Sequence, residues 1–224
     1  KVLDEASAVV AVSPLVRQEF QEMTSTPVEL ITNGFDECDY NPDGSRDAAG
    51  GPDKDFIITH TGLFAADGNP TVLWEVLKEK CSRDENFRKH LKIELIGKTD
   101  SQITESLHAA GLSENTVNMG YLPHSEAVGH QRNASVLILP LRKEPEYKAV
   151  LPGKLFEYIA SCRPVLGIGQ PDGAMAMIVN ETNTGVVYDW EDRNSLTEYI
   201  DRCWERHTEG RLTAEGADLK QFTR

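Results

Sequence analysis

Cationic side chains are scarce in this sequence beside anionic ones: 23 Lys and Arg stand against 36 Asp and Glu, a formal net charge of −13. Binding to nucleic acid or to anionic lipid begins from a basic face, so neither is expected as a general partner, and any phosphate must be held by a local arrangement. Long apolar runs are missing as well. Stretches such as Ala134–Leu139, with one serine inside, fall far short of the ~20 residues that a membrane helix needs, and no secretory leader is read at the start. Cysteine is sparse: Cys38, Cys81, Cys162 and Cys203 form no CxxC and meet no histidine cluster, which excludes a disulfide framework and a zinc site and fits reduced thiols in the cytoplasm. The six histidines contain no HExxH. Asp53-Lys54-Asp55 has the form of a metal-binding DxD, but the strand begins after it, so it reads as turn chemistry and no metal is expected. Neither GxGxxG nor GxxxxGK[ST] occurs. The loop Thr61–Pro70 after the first full strand has neither form, which argues against NAD, FAD and P-loop sites, and no cofactor is expected.

What the chain does have is alternation. Ala8–Val12 reads as a short buried strand; Ser13 as N-cap with Pro14 at the first helical position opens a helix whose apolar stripe is Val16, Phe20 and Met23. Val28–Ile31 is a second strand, closed by Asn33-Gly34. From Asp36 to Asp55 the sequence is rich in Asp, Pro, Gly and Asn with little periodicity, a linker between domains. Beyond it come strands at Phe56–Thr61, Leu91–Ile96, Val117–Gly120, Val136–Leu139, Val165–Ile168 and, at the edge, Gly185–Tyr188. Helices lie between them: Pro70–Lys80, Ser101–Ala110, one capped by Ser125, one at Lys154 and one capped by Asp172. A final helix follows the capping box Ser195-Leu196-Thr197-Glu198. Nearly continuous apolar strands, each followed by a helix, predict an α/β fold with a doubly wound, Rossmann-like parallel sheet. Ligands of such sheets sit outside the carboxyl ends of the strands. That rule selects Gly62, Gly97-Lys98, Gly120-Tyr121-Leu122 and the loop Pro140–Gly153.

The most informative stretch is Leu151-Pro152-Gly153-Lys154-Leu155-Phe156-Glu157-Tyr158. Pro152 and Gly153 stand at the mouth of a short helix, whose first N–H groups have no intrahelical acceptor and whose dipole favours an anion. Lys154 in the first turn suits a phosphate. Glu157, three residues on, shares its face and can only accept, which suits sugar hydroxyls. The same spacing also suits an ordinary i, i+3 surface ion pair.

Taken in order, Val10-Ala11-Val12-Ser13, Ile31-Thr32-Asn33-Gly34-Phe35-Asp36, His60-Thr61-Gly62, Leu95-Ile96-Gly97-Lys98, Gly120-Tyr121-Leu122-Pro123, Leu137-Ile138-Leu139-Pro140 and Pro152–Tyr158 resemble the donor-binding half of GT-B-fold glycosyltransferases of the bacterial group one, or family four, type. The resemblance implies the C-terminal half of a GT-B fold. Residues 1–35 would be a remnant of the N-terminal acceptor-binding domain, 36–54 the linker, 55–190 the nucleotide-sugar domain and 191–224 a C-terminal helical segment. It implies metal-independent transfer of a sugar from a nucleotide-diphosphate sugar, as in polysaccharide biosynthesis, to a glycan or lipid-linked acceptor. The acceptor would bind through the N-terminal domain, most of it outside this chain. The fragment alone would be inactive, and the location cytoplasmic, with peripheral attachment to the inner membrane through that domain. The resemblance assigns Glu157 to the ribose, Lys154 with the helix amides of Gly153 and Leu155 to the diphosphate, Gly62 and Leu63 to phosphate or sugar through backbone, Tyr121 and Leu122 to the border of the base, and Lys98 and Lys148 to further phosphate contacts. Two departures concern the sugar side: the position eight before Glu157, acidic in many members, is Ala149, and Leu63–Asp67 lacks the usual basic residue. An epimerase of the same fold, or a non-catalytic module with a degenerate pocket, would share the remaining features.

Overall fold

The structure, a computed structural model, describes residues 2–40, 54–214 and 219–223. After a helical turn α1 (Val2–Glu5), two short strands, β1 (Val9–Ala11) and β2 (Val28–Leu30), pair in parallel across helix α2 (Pro14–Met23). The strand expected to be buried is half open: Val10 is 54% exposed and Val12 49%. Met23 of the α2 stripe also faces solvent, because among the described residues no second layer covers this pair of strands. Ser13 precedes α2 in an extended conformation but makes no side-chain cap bond. The segment expected to be linker begins with a helix, α3 (Glu37–Tyr40), and Tyr40 is buried in the main core, so these residues are anchored to that core. The rest of that linker, and Asp53 of the DxD-like tripeptide, lie outside the described residues.

Six parallel strands follow: β3 (Phe56–Thr61), β4 (Leu91–Ile96), β5 (Thr116–Gly120), β6 (Val136–Pro140), β7 (Val165–Ile168) and β8 (Gly185–Tyr188). Their spatial order is β5-β4-β3-β6-β7-β8. The chain builds outward from β3 to one edge, returns, and builds outward from β6 to the other. The winding reverses between β3 and β6, the doubly wound arrangement, and the crevice at such a reversal opens at the carboxyl ends of the strands. The connecting helices are α4 (Thr71–Arg83) with α5 (Glu85–His90), α6 (Ser101–Ala109), α7 (His124–Asn133), α8 (Gly153–Ala160) and α9 (Ala174–Thr182), with α10 (Arg193–Thr208) after the last strand. Three helix starts differ from expectation. Pro123 rather than Ser125 precedes α7, and Gly173 rather than Asp172 precedes α9, Asp172 being ion-paired to Lys148 instead. Asp192 caps α10, its carboxylate accepting the Ser195 N–H at 3.1 Å, so Ser195 lies inside the first turn.

Strand β3 divides its side chains by the two-residue period of a pleat. Phe56, Ile58 and His60 take one face, where Phe56 packs against Phe87 of α5 and Trp204 and His207 of α10. Thr59 and Thr61 take the other, where the Thr59 hydroxyl donates to Glu94 of β4 and Thr61 is hydrogen-bonded to Gln131 of α7 and Tyr158 of α8. The polar face of a buried central strand is therefore the one that leads to the site. Beyond α10 the chain crosses back: the Phe222 ring packs on Phe156 of α8 at 5.5 Å, and its carbonyl accepts the Phe35 N–H at 2.9 Å. Among the described residues no helix is long and apolar enough to cross a membrane.

Candidate functional site

The floor of the crevice is main chain. Gly62, Gly97 and Gly120 end β3, β4 and β5, each with positive φ (+104°, +110° and +64°). They are linked sideways: the Gly62 N–H donates to the Ile96 carbonyl at 2.7 Å and the Gly97 N–H to the Gly120 carbonyl at 2.6 Å. A methyl group on Gly97 would stand 2.4 Å from the Gly62 carbonyl oxygen, so no side chain fits between the strand ends. The next residues continue the pairing, with the Phe64 N–H donating to the Lys98 carbonyl at 2.9 Å and the Asp100 N–H to the Phe64 carbonyl at 2.9 Å. Since the Gly62 amide is engaged, the Leu63 amide is the one of this pair that has no acceptor among the described residues.

Helix α8 stands over this floor. A Cβ built on Gly62 would lie 3.4 Å from Cε of Lys154, which places the lysine stem across the end of β3. The Lys154 ammonium donates to Oε2 of Glu157 at 2.7 Å, with the two side chains about two-thirds and three-quarters buried (31% and 25% exposed, respectively). The i, i+3 ion pair that the spacing allows does form, and it is partly buried over the end of β3. The Leu155 N–H donates to the Pro152 carbonyl at 3.0 Å and its side chain is buried, so the amides of Gly153 and Lys154 are the open donors at this helix start. Three amides and one ammonium are a set of donors with no acceptor of their own beyond Glu157, the arrangement that suits an anion with several oxygens.

Residues outside the sequence motifs complete the site. Oε2 of Glu157 also accepts from Nε2 of Gln131 on α7 at 3.1 Å, and the same amide donates to Oγ1 of Thr61 at 3.0 Å. The Tyr40 hydroxyl of α3 donates to Oε1 of Gln131 at 2.8 Å. The Tyr158 hydroxyl accepts the Thr61 N–H at 2.8 Å, tying α8 to the strand end. Burial pushes the Tyr158 phenol up to about 12, and burial together with the Glu157 charge holds Tyr40 well above the usual tyrosine range, so both stay neutral donors and acceptors. On the opposite face of β3, the His60 imidazole stacks on Phe64 at 4.1 Å between ring centroids. Burial first, and the Lys154 charge second, lower its pKa to about 3, so it stays neutral; its Nδ1 has no partner among the described residues. Of these, Gln131 carried a signal in the sequence: it falls at helical spacing from Ala127 and Val128, which are buried on the inner face of α7. Tyr40 carried none, a lone aromatic in a polar segment.

The other assigned residues scatter along the rim. Leu63 is 66% exposed and Tyr121 90%, with Leu122 half-buried after β5. Lys98 is exposed with no ion pair among the described residues, whereas Lys148 is paired to Asp172 at the approach to α9. Arg142, which the sequence did not single out, reaches from the loop after β6 to Asp67 in the loop after β3 at 2.9 Å and lies over the Tyr147 ring. It places a cation in the loop opposite Leu63–Asp67, where the sequence lacks one.

Among solved structures the chain is similar to sucrose-phosphate synthase from Thermosynechococcus elongatus, with 18% identity and a TM-score of 0.69 over 96% of this chain and 53% of that one. It is similar to WaaG, a glycosyltransferase involved in lipopolysaccharide biosynthesis, with 16% identity and a TM-score of 0.68 over 95% and 60%. It is also similar to a UDP-forming α,α-trehalose-phosphate synthase from Burkholderia xenovorans, with 12% identity and a TM-score of 0.64 over 92% and 55%. At these identities the likeness is one of fold, and the chain spans little more than half the length of these structures. No curated relative matches it in sequence. Residues 55–206, more than half of the chain and all six strands of the main sheet, match the family of group 1 glycosyl transferases, and the chain belongs to that family.

Proposed function

We propose that this chain is the nucleotide-sugar-binding half of a GT-B glycosyltransferase that moves a sugar from a nucleotide-diphosphate sugar to a glycan or lipid-linked acceptor, without a metal or other cofactor. The observation that carries this reading is the convergence of Lys154, Glu157 and the open amides of Leu63, Gly153 and Lys154 on a side-chain-free floor at the sheet's reversal point. A diphosphate entering there exchanges the Lys154–Glu157 ion pair for a lysine–phosphate contact. Charge-assisted hydrogen bonds of that kind contribute about 1.5–3 kcal/mol each. Glu157, released from lysine, then offers its lone pairs to ribose hydroxyls. When the bond between the anomeric carbon and the diphosphate breaks, the leaving group gains negative charge, and fixed N–H dipoles with the lysine stabilise it where it forms. The sugar points away from this floor towards the side on which an acceptor domain would stand, which residues 1–35 would begin and 36–54 would join to the donor domain. The UDP-forming neighbour makes a uridine diphosphate the first ligand to try. Polysaccharide or lipopolysaccharide assembly in a bacterial cytoplasm, with any membrane contact made by the acceptor domain, is the setting that this chemistry fits.

Calorimetric titration with UDP, GDP and their sugars tests the reading. Binding of one nucleotide is expected, weakened about tenfold or more by Lys154→Ala and by Glu157→Ala, since each removes a charged hydrogen-bonding group. A folded sample that binds none of these ligands overturns it.

A further inference from the structure

Gln131 has no exposed surface, and its amide is engaged at both ends. Oε1 accepts from Tyr40 at 2.8 Å, while Nε2 donates to Thr61 at 3.0 Å and to Glu157 at 3.1 Å. Only one orientation of that amide satisfies all three neighbours, because the reversed one would set its carbonyl against the Glu157 carboxylate, acceptor against acceptor. The Tyr40 hydroxyl, donating to Oε1, selects the orientation that keeps a donor aimed at Glu157.

The two donors on Glu157 Oε2 differ in kind. Lys154 sits on a flexible stem and is partly exposed, whereas Gln131 is fully buried and hydrogen-bonded at both ends of its amide. A ligand anion over Gly62 draws the ammonium away. A glutamate held by lysine alone would then regain its rotamers, and immobilising it again for the ribose would cost affinity. Gln131 remains in place and prevents that. Chains of hydrogen bonds also polarise one another, so the Tyr40 hydroxyl strengthens the donor that reaches Glu157. Tyr40 is itself nearly buried, at 4% exposure, with its ring edge-on to Phe35, so it acts from beneath the site and does not touch ligand.

We propose that Gln131 and Tyr40 are positioning residues: the chain Tyr40–Gln131–Glu157 holds the Glu157 carboxylate on target while Lys154 turns to phosphate, and thereby sets affinity for the ribose of a nucleoside diphosphate. This rests on the donor-site reading above. Neither residue belongs to the motif at Pro152–Tyr158; they reach it from α7 and α3.

The test is titration of the chain and of its Tyr40→Phe, Gln131→Met and Glu157→Gln variants with UDP, GDP, 2′,3′-dideoxy-UDP and inorganic pyrophosphate. Tyr40→Phe and Gln131→Met are each expected to weaken the nucleotide that binds by about fivefold to tenfold, the worth of a buried hydrogen bond, and to leave pyrophosphate and the dideoxy compound within about twofold. In the Glu157→Gln background neither should cause a further loss, because residues acting through one group are not additive. Equal losses for UDP and pyrophosphate, losses that add fully to that of Glu157→Gln, or variants that bind like the parent overturn the inference. Tyr40→Phe keeps the ring and its packing, so it decides the matter if Gln131→Met does not fold. A parent chain that binds pyrophosphate but no nucleotide, or neither, overturns the donor-site reading and this inference with it.

Discussion

Gly97 shows how little latitude single positions have at the strand ends. Its φ of +110° already disfavours any L side chain, and the 2.4 Å approach of a new Cβ to the Gly62 carbonyl adds a backbone clash that no rotamer relieves. Gly97→Ala is therefore expected to cost more than about 2 kcal/mol, seen as a lower urea midpoint at an unchanged slope. His60 makes a second prediction at this scale. Its folded pKa of about 3 lies below the ordinary value of 6.5, so between those values the unfolded chain binds a proton that the folded chain refuses. Stability is then present above pH 6.5 and lost as the pH falls towards 3, by up to about 1.4 kcal/mol per pH unit for each such group. His207, also lowered by burial, acts in the same direction. His60→Leu removes an imidazole whose Nδ1 is unpartnered. It should leave stability at pH 7 equal or higher and flatten the loss between pH 6.5 and 4.5, measured by urea midpoints across that range. An unchanged pH slope would show that His60 is protonated in the fold.

Among the elements, helix α10 separates two readings of one sequence. A serine followed three residues later by glutamate reads as a cap, but Asp192 stands three residues earlier and its carboxylate already holds the Ser195 N–H. Asp192→Ala is expected to cost about 1 kcal/mol and Ser195→Ala about 0.5 kcal/mol or less, compared by thermal midpoint. Strands were the most legible elements, since Phe56–Thr61 opens on three apolar residues and ends at a glycine and Val165–Ile168 runs between Pro164 and Gly169, and burial on both faces leaves such runs little alternative. Helix starts were less so, because Ser125 and Asp172 are adequate caps by composition and only the packing decides which residue turns the chain. At the site, Lys154 and Glu157 were legible because both lie on one helix and their spacing is local. Gln131, Tyr40 and Thr61 join them from positions 26, 117 and 96 residues before Glu157, and nothing in a linear pattern connects residues so far apart. Only the winding of the sheet brings them together.

At the scale of the whole molecule, the last described residues secure the first. Phe222, 5% exposed, packs on Phe156 directly behind the site, and its carbonyl receives the Phe35 N–H ahead of α3. Phe222→Ala is expected to cost about 3–5 kcal/mol and to speed hydrogen exchange at the Phe35 amide more than at amides of β3. Uniform acceleration would show that the tail supports the fold as a whole and not the N-terminal strands in particular. The glycine terraces at 62, 97 and 120 have a wider consequence. A surface made of peptide groups cannot be retuned by point mutation, only obstructed, whereas rim positions such as Leu63, Tyr121 and Leu122 can change freely without disturbing the core. Under the donor reading proposed above, preference for one base or sugar can therefore drift while the grip on the charged linkage stays the same, and new donors become accessible without a new fold.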